Sequence, residues 1–137
     1  MTSVTIFSDG GARGNPGPAG IGAILLDAQG QTLAEVSEFI GKATNNQAEY
    51  LALLAGLEKA HEFNVSSVFM FLDSKLVVEQ IAGRWKIKDL ELRKIAEKIH
   101  AVLVGFQSWK IQHVPREKNR VADCLVNKAI DNAKLRM

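Results

Sequence analysis

Several features are scarce or absent in this chain of 137 residues, and each narrows the class of protein. The single cysteine, Cys124, excludes an internal disulfide and favours a reducing compartment such as the cytoplasm. No apolar run reaches the length needed to cross a bilayer, so we expect no membrane association. The first residues lack a basic stretch followed by a signal-like apolar region. Without a linker, repeat or low-complexity segment, residues 1–137 are expected to form one domain.

The chain also lacks a strong excess of positive or of negative charge. The chain has 17 Lys and Arg against 15 Asp and Glu, and a net charge of +2 neither requires nor excludes a nucleic-acid partner. Four of the acidic residues are considered below as metal ligands. Setting them aside leaves 11 acidic residues against 17 basic ones. The rest of the surface is therefore more basic than the total suggests.

Five apolar segments have the composition of β-strands, and turn-forming residues separate the first three. The predicted strands are residues 3–9, 20–27, 32–40, 67–72 and 106–114. Residues 10–18 predict a turn-rich loop, and residues 28–31 predict a hairpin turn. Residues 67–72 show no polar alternation, which is typical of a central strand covered on both faces.

Four further segments have helical spacing of their apolar residues. The predicted helices are residues 44–63, 75–82, 89–104 and 119–133. Thr44 and Gln47 have the spacing of a capping box at the start of the first helix. The order of elements predicts an α/β fold, in which three antiparallel strands continue into a parallel part through helical crossovers.

Four carboxylates occupy related places in this arrangement. Asp9 and Asp73 follow apolar strands, whereas Glu49 and Asp123 lie early in helices. Any one of them alone would more often start a turn or cap a helix. A carboxylate that closes a buried strand is costly to desolvate, and ligand sites in such sheets lie beyond the carboxyl ends of parallel strands. The four together predict one acidic cluster that binds divalent cations.

Four motifs in this order resemble the type 1 ribonuclease H family over nearly the whole chain. They are FSDGGARGNPG at 7–17, TNNQAE at 44–49, LDS at 72–74 and HVPREKNRVAD at 113–123. The resemblance implies a ribonuclease H-like fold with a five-stranded mixed sheet, in the order 3-2-1-4-5, flanked by helices. It also implies endonucleolytic cleavage of the RNA strand of RNA–DNA hybrids. We expect a monomer, and double-stranded RNA is a second candidate partner.

The family resemblance also implies the chemistry of the acidic cluster. Two Mg²⁺ ions, for which Mn²⁺ can substitute, would activate a water and stabilise the leaving oxygen. Mg²⁺ takes hard oxygen ligands and keeps several waters, so a few carboxylates are enough. By analogy Asp9 would bind both ions, Glu49 and Asp73 one of them, and Asp123 the other.

Two residues are alternatives for assisting turnover. His113 lies ten residues before Asp123, which is the spacing of a family histidine that carries a proton during product release. The glycines that flank this histidine in many relatives are missing, because His113 precedes Val114 and Pro115. Arg116 is the alternative, since it could reach the scissile phosphate. A structural role for His113, as a strand-end residue with local hydrogen bonds, is equally compatible with the sequence.

The glycine-rich first turn and the asparagine pair are expected to contact the substrate. Gly10 and Gly11 would let the RNA strand approach the backbone closely. The turn lacks the Gly-Lys-Ser/Thr of a nucleotide-binding P-loop and leads to a strand. Asn45 and Asn46 match a family pair in the minor groove of the hybrid, where the 2′-hydroxyl distinguishes RNA from DNA.

The DNA strand is expected to contact two further groups of residues. Asn15 and Thr44 match a family pocket for a DNA phosphate, although Thr44 also fits a helix cap. Trp85 is expected to pack on DNA sugars, with Lys86 and Lys88 at phosphates. A core tryptophan with solvated lysines is the alternative. The chain is too short here for the longer basic protrusion of many relatives, which predicts weaker hybrid binding.

Two other functions compete with catalysis. A non-catalytic domain that binds hybrids or double-stranded RNA would be expected to lack at least one of the four carboxylates, and none is missing. An integrase-like core fits poorly, because such cores lack the Asn45–Asn46 pair and the glycine-rich first turn.

Overall fold

The computed structural model describes residues 2–135, which form one five-stranded sheet with helices on both faces. The strands are β1 (Ser3–Ala12), β2 (Gly17–Leu26), β3 (Thr32–Ala43), β4 (Ser67–Leu72) and β5 (Ser108–His113). The helices are α1 (Asn45–His61), α2 (Lys75–Ile81), α3 (Leu90–Leu103) and α4 (Arg120–Leu135), with a 3₁₀ turn at Arg116–Lys118. No helix within residues 2–135 combines the length and apolar character that crossing a membrane requires.

The strand order is β3-β2-β1-β4-β5, which confirms the expected sheet. β1, β2 and β3 pair antiparallel, and β4 joins β1 and β5 in parallel register. The first hairpin is tighter than expected, because Ala12 still pairs with Ala19. The predicted loop at 10–18 was therefore wrong at both ends, since its residues belong largely to β1 and β2.

Helices cover the two faces of the sheet unequally. α1 packs on β1 and β2 and is itself covered by α3, whereas α4 packs on the opposite face of β1, β2 and β3. The main core lies under α1 and includes the fully buried Ile6, Leu53 and Met70. The capping box predicted for Thr44 and Gln47 is present at the start of α1.

The prediction that β4 is covered on both faces was wrong. Val68, Met70 and Leu72 point into the core, but Phe69 on the other face is 36% exposed. Phe71 on that face stacks on Phe7 with ring centroids 5.1 Å apart. α4 does not extend over this half of the sheet, so the strand sequence is apolar on both faces while only one is fully covered.

Two glycines allow the helices to approach the sheet where the acidic residues lie. A Cβ at Gly10 would lie 2.2 Å from the backbone carbonyl of Ala48 in α1. A Cβ at Gly22 would lie 2.4 Å from the carbonyl oxygen of Ala122 in α4. Because Gly22 pairs with Asp9 across the β1–β2 ladder, its missing side chain lets the start of α4 lie close to Asp9.

Candidate active site

Asp9 and Asp73 lie side by side because of the parallel pairing of β1 and β4. The last parallel pair joins Ser8 to Leu72, and each aspartate is the next residue along its strand. β1 itself continues to Ala12, so Asp9 does not end its strand as predicted, but it does mark the end of the parallel pairing. Asp9 is buried at 8% exposure.

Glu49 and Asp123 reach the same place from the two helix layers. Glu49 lies in the second turn of α1, whose start is fixed by the Thr44 cap. Asp123 lies in the first turn of α4. A carboxylate oxygen of each of Asp9, Glu49 and Asp73 lies within 4.8 Å of the others. Asp123 lines the same cleft, which has a volume of about 480 Å³.

Burial and mutual repulsion disfavour the ionised forms of the clustered carboxylates. Burial, followed by the charges of Asp73 and Glu49, raises the pKa of Asp9 to about 8. Burial likewise raises the pKa of Glu49 to about 7, although a hydrogen bond from Ser74 opposes it. Burial also raises the pKa of Asp73. Crowded carboxylates that resist ionisation are what a bound divalent cation would relieve.

Arg116 and His113 have different surroundings. Arg116 lines the acidic cleft, and its Nη2 lies 3.9 Å from Oδ1 of Asp123. Its charge opposes the burial-driven rise in the pKa of both Glu49 and Asp73. His113 is exposed at the end of β5 and lies near Glu79 of α2. The pKa of Glu79 is lowered first by its hydrogen bond from Arg84 and, to a smaller extent, by His113.

The asparagines beside the cleft are tied to the backbone. Oδ1 of Asn45 accepts a hydrogen bond from the Ala12 amide at 2.8 Å. Oδ1 of Asn15 accepts one from the Asn45 amide at 3.0 Å. These bonds join the end of β1 to the start of α1 and leave both side-chain NH₂ groups as donors. Asn46 is exposed, and Thr44 caps the helix, as the sequence allowed.

The basic loop, residues 83–88, joins α2 to α3. Trp85 is 45% exposed, so the alternative of a core tryptophan was wrong. The ammonium of Lys75 lies 6.0 Å from the centre of its ring. Lys86 and Lys88 are exposed. The loop therefore presents an aromatic face and two positive charges to solvent.

Two residues with long-range contacts, Arg13 in the cleft and Asn119 behind Ser8, were not predicted from the sequence. The guanidinium of Arg13 lines the cleft and donates to Asp131 at 2.7 Å and to Asn127 at 3.3 Å, both on α4. Asn119 is 1% exposed and donates from Nδ2 to the carbonyl oxygen of Ser8 at 2.8 Å. Both contacts join residues more than 100 positions apart, and no local spacing signals them.

Known proteins are similar to this chain in sequence and in fold. The sequence model of a family described as "Reverse transcriptase-like" matches residues 7–129. Ribonuclease HI of Halobacterium salinarum is 45% identical over 95% of this chain, and ribonuclease H of Alcanivorax borkumensis is 32% identical over 98%. The aligned regions make up 65% of the first relative and 95% of the second. A bifunctional protein of Mycobacterium tuberculosis is 47% identical, but only 36% of its length is matched.

Solved structures are similar over almost the whole fold. The crystal structure of the Halobacterium salinarum enzyme superposes with a TM-score of 0.92, covering 95% of this chain and 98% of that one. A ribonuclease H1 in complex with an RNA/DNA hybrid, 44% identical, superposes with a TM-score of 0.91 over 95% of this chain and 98% of that one. The sequence matches, the sheet order and these superpositions lead to one conclusion: the chain belongs to the type 1 ribonuclease H family.

Proposed function

We propose that this protein hydrolyses the RNA strand of RNA–DNA hybrids as a metal-dependent endonuclease. The observation that carries the proposal is the convergence of Asp9, Glu49, Asp73 and Asp123 in one cleft. Further support comes from a relative of the same fold that was crystallised in complex with an RNA/DNA hybrid. A binding domain without catalysis would have no need for four carboxylates whose mutual repulsion costs stability.

The donor set fits Mg²⁺ or Mn²⁺. All four side chains offer hard carboxylate oxygens, and three of them lie close enough to share an ion. Asp9 would contribute to two ions, Glu49 and Asp73 to one, and Asp123 to the other. When bound, two such ions supply an activated water and stabilise the leaving oxygen of an in-line displacement. The protein's own part is to hold these oxygens together in a partly buried cleft.

Arg116 is the better candidate for assisting turnover. Its guanidinium lines the cleft beside Asp123, where it can bind a phosphate oxygen through two N–H groups. His113, exposed at the end of β5, is not among the residues that line the cleft. We therefore assign the phosphate contact to Arg116 and leave His113 with a local role.

The asparagines and the basic loop would supply the contacts expected with the two strands of the hybrid. The free NH₂ groups of Asn45 and Asn15 can donate to phosphate or 2′-hydroxyl oxygens, because their carbonyls are already used. Exposed Asn46 can do the same from the adjacent position. Trp85, Lys86 and Lys88 form a separate surface that suits the sugars and phosphates of DNA.

The test is cleavage of a labelled RNA–DNA hybrid beside matched RNA–RNA and DNA–DNA duplexes, with Mg²⁺, with Mn²⁺ and with a chelator. We expect cuts in the RNA strand of the hybrid, only when metal is present. Binding of the hybrid without cleavage under every metal condition would support a non-catalytic binding domain. Cleavage of the RNA duplex at the same rate would remove the proposed hybrid specificity.

A further inference from the structure

Gln80 is a buried polar residue between helix α1, which carries Glu49, and the basic loop. Its side chain is in α2 and the residue is 9% exposed. Its Oε1 accepts a hydrogen bond from the phenol of Tyr50, which is fully buried in α1 and directly follows Glu49. Its Nε2 donates to the backbone carbonyl oxygen of Lys86 at 3.0 Å. One amide therefore connects α1 to the loop through two hydrogen bonds.

The direction of both bonds is set by the groups at each end. A backbone carbonyl can only accept, so the NH₂ of Gln80 must face Lys86 and its carbonyl must face Tyr50. The phenol of Tyr50 carries the only hydrogen between the two oxygens, so Tyr50 is the donor in this bond. Breaking either bond would leave a buried polar group without a partner, which is more costly than the bond itself is stabilising.

Side chains hold the second half of the basic loop. The amides of residues 83–85 donate to backbone carbonyl oxygens of α2, whereas residues 86–88 make no backbone–backbone hydrogen bond within residues 2–135. Next to the contact at Lys86, the guanidinium of Arg93 in α3 donates to the carbonyl oxygen of Ile87 at 2.8 and 3.2 Å. Two successive carbonyls of the loop are thus held from two different helices. The side chains of Trp85, Lys86 and Lys88 are exposed, and the backbone that carries them is held by these hydrogen bonds to α2 and α3.

We propose that Gln80 is a positioning residue for hybrid binding, which holds the basic loop at a set place relative to α1 and its Glu49. The inference rests on the proposed function, because it assigns the loop to the DNA strand. A loop already ordered in the free protein loses little freedom when its lysines meet phosphates. Without Gln80 the loop would lose its contact at Lys86 and would have more freedom to lose on binding, so affinity would fall while the carboxylate cluster stayed unchanged.

The first test is Gln80→Met, which keeps the length of the side chain but removes both hydrogen bonds. Hybrid binding is measured by fluorescence anisotropy with Ca²⁺ in place of Mg²⁺, and cleavage is measured with Mg²⁺. We expect Kd and KM to rise roughly threefold to tenfold, which is the effect of ordering one or two side chains. The value of kcat at saturating hybrid should stay within about twofold of wild type.

Two comparisons separate positioning from general destabilisation. Val78→Ala, in the buried face of the same helix, should lower Tm but leave Kd unchanged, because the apolar side chain of Val78 makes no hydrogen bond to the loop. In a Lys86→Ala/Lys88→Ala background, Gln80→Met should weaken binding less than it does in wild type, since two of the three side chains it positions are gone. Tyr50→Phe serves as a second variant if Gln80→Met does not fold, and it should give a smaller shift of the same sign.

Amide hydrogen exchange of residues 84–88 in the free protein adds a measurement that needs no substrate. Faster exchange in Gln80→Met, with unchanged exchange in β1, supports the positioning role. A wild-type Kd for Gln80→Met, or an equal loss in the lysine-deficient background, would overturn it. If the wild-type protein itself neither binds nor cuts hybrids, the proposed function fails and this inference with it. Wild-type binding with an unaffected Gln80→Met rejects the inference alone.

Discussion

The side-chain amide of Asn119 donates to the backbone carbonyl of Ser8 at 2.8 Å, across 111 positions of sequence. Ser8 precedes Asp9, and Asn119 immediately precedes α4, which carries Asp123. The side chain of Asn119 also opposes the burial-driven rise in the pKa of Asp73. Asn119 therefore joins β1, which carries Asp9, to the start of α4, which carries Asp123.

Replacing Asn119 by Ala should destabilise the protein by about 1–3 kcal/mol, because the Ser8 carbonyl would lose its buried partner. We expect kcat to fall as well, since α4 would be less firmly placed against β1. Urea unfolding and single-turnover cleavage measure the two effects. Asn132→Ala, at an exposed position of α4, is the matched control and should change neither. Wild-type stability and rate in Asn119→Ala would contradict this role.

The raised carboxyl pKa values predict how the metal-free protein responds to pH. The pKa values of Asp9 and Glu49 lie near 8 and 7 in the fold, above the ordinary values of 3.8 and 4.5. The folded state therefore holds protons that the unfolded state has released between about pH 4 and pH 8. Stability should fall as pH rises through this range, and the loss should be complete above the folded-state pKa values.

Asp9→Asn should flatten this dependence, since the amide has no proton to lose. At pH 8 without metal we expect the variant to be more stable than wild type by about 1 kcal/mol or more. Adding Mg²⁺ should stabilise wild type more than the variant, because the ion binds only the folded cluster. Thermal unfolding at several pH values, with chelator and with Mg²⁺, gives both comparisons. If metal-free Asp9→Asn were less stable than metal-free wild type at pH 8, repulsion among the carboxylates would not be destabilising the fold.

Arg116→Ala should lower kcat on the order of 10²-fold, as loss of one charge-stabilising donor commonly does. Arg116→Lys should restore part of the rate, because it keeps the charge but not the two-donor geometry. His113→Ala should remain close to wild type. Comparing kcat of the three variants between pH 6 and pH 9 decides between the residues. A large defect in His113→Ala with an unaffected Arg116→Ala would reverse the assignment.

Replacing Asn45 or Asn46 by Ala should raise KM in both cases but should lower Tm only for Asn45. Asn46→Ala should raise KM with little change in Tm, because Asn46 is exposed at the helix start. Asn45→Ala should raise KM and also lower Tm, since its carbonyl accepts from the Ala12 amide. Steady-state kinetics and thermal unfolding of the two single variants test this. Equal Tm losses would mean that Asn46 has a structural contact of its own.

The acidic cluster could be predicted because its positions follow from general features of the fold. Parallel strands place their carboxyl ends at one edge of the sheet, and the motifs around Asp9, Glu49, Asp73 and Asp123 matched one family in order. The contacts of Asn119 could not be predicted in the same way. Its partner is a backbone carbonyl 111 residues away, and a carbonyl has no sequence signature.

The sequence-based expectations that were wrong or incomplete also have physical explanations. The apolar run of β4 suggested burial on both faces, but the extent of α4 determines which residues are covered, and Phe69 lies outside it. Gly10 was expected only to allow substrate approach, whereas the proximity of the Ala48 carbonyl gives it a packing requirement as well. The hydrogen bond from Gln80 to Lys86 depends on the path of the basic loop relative to α2. The amino-acid composition does not determine that path.

The proposed function requires that the carboxylate cluster hold the metal ions needed to cut RNA paired with DNA. The most direct measurement compares wild type with Asp9→Asn on one hybrid, labelled on the RNA strand, with Mg²⁺ for cleavage and anisotropy for binding. We predict cleavage of the RNA strand by wild type, and hybrid binding without detectable cleavage by a folded Asp9→Asn protein. Near-normal turnover by Asp9→Asn, or no cleavage by wild type with either Mg²⁺ or Mn²⁺, would contradict the account.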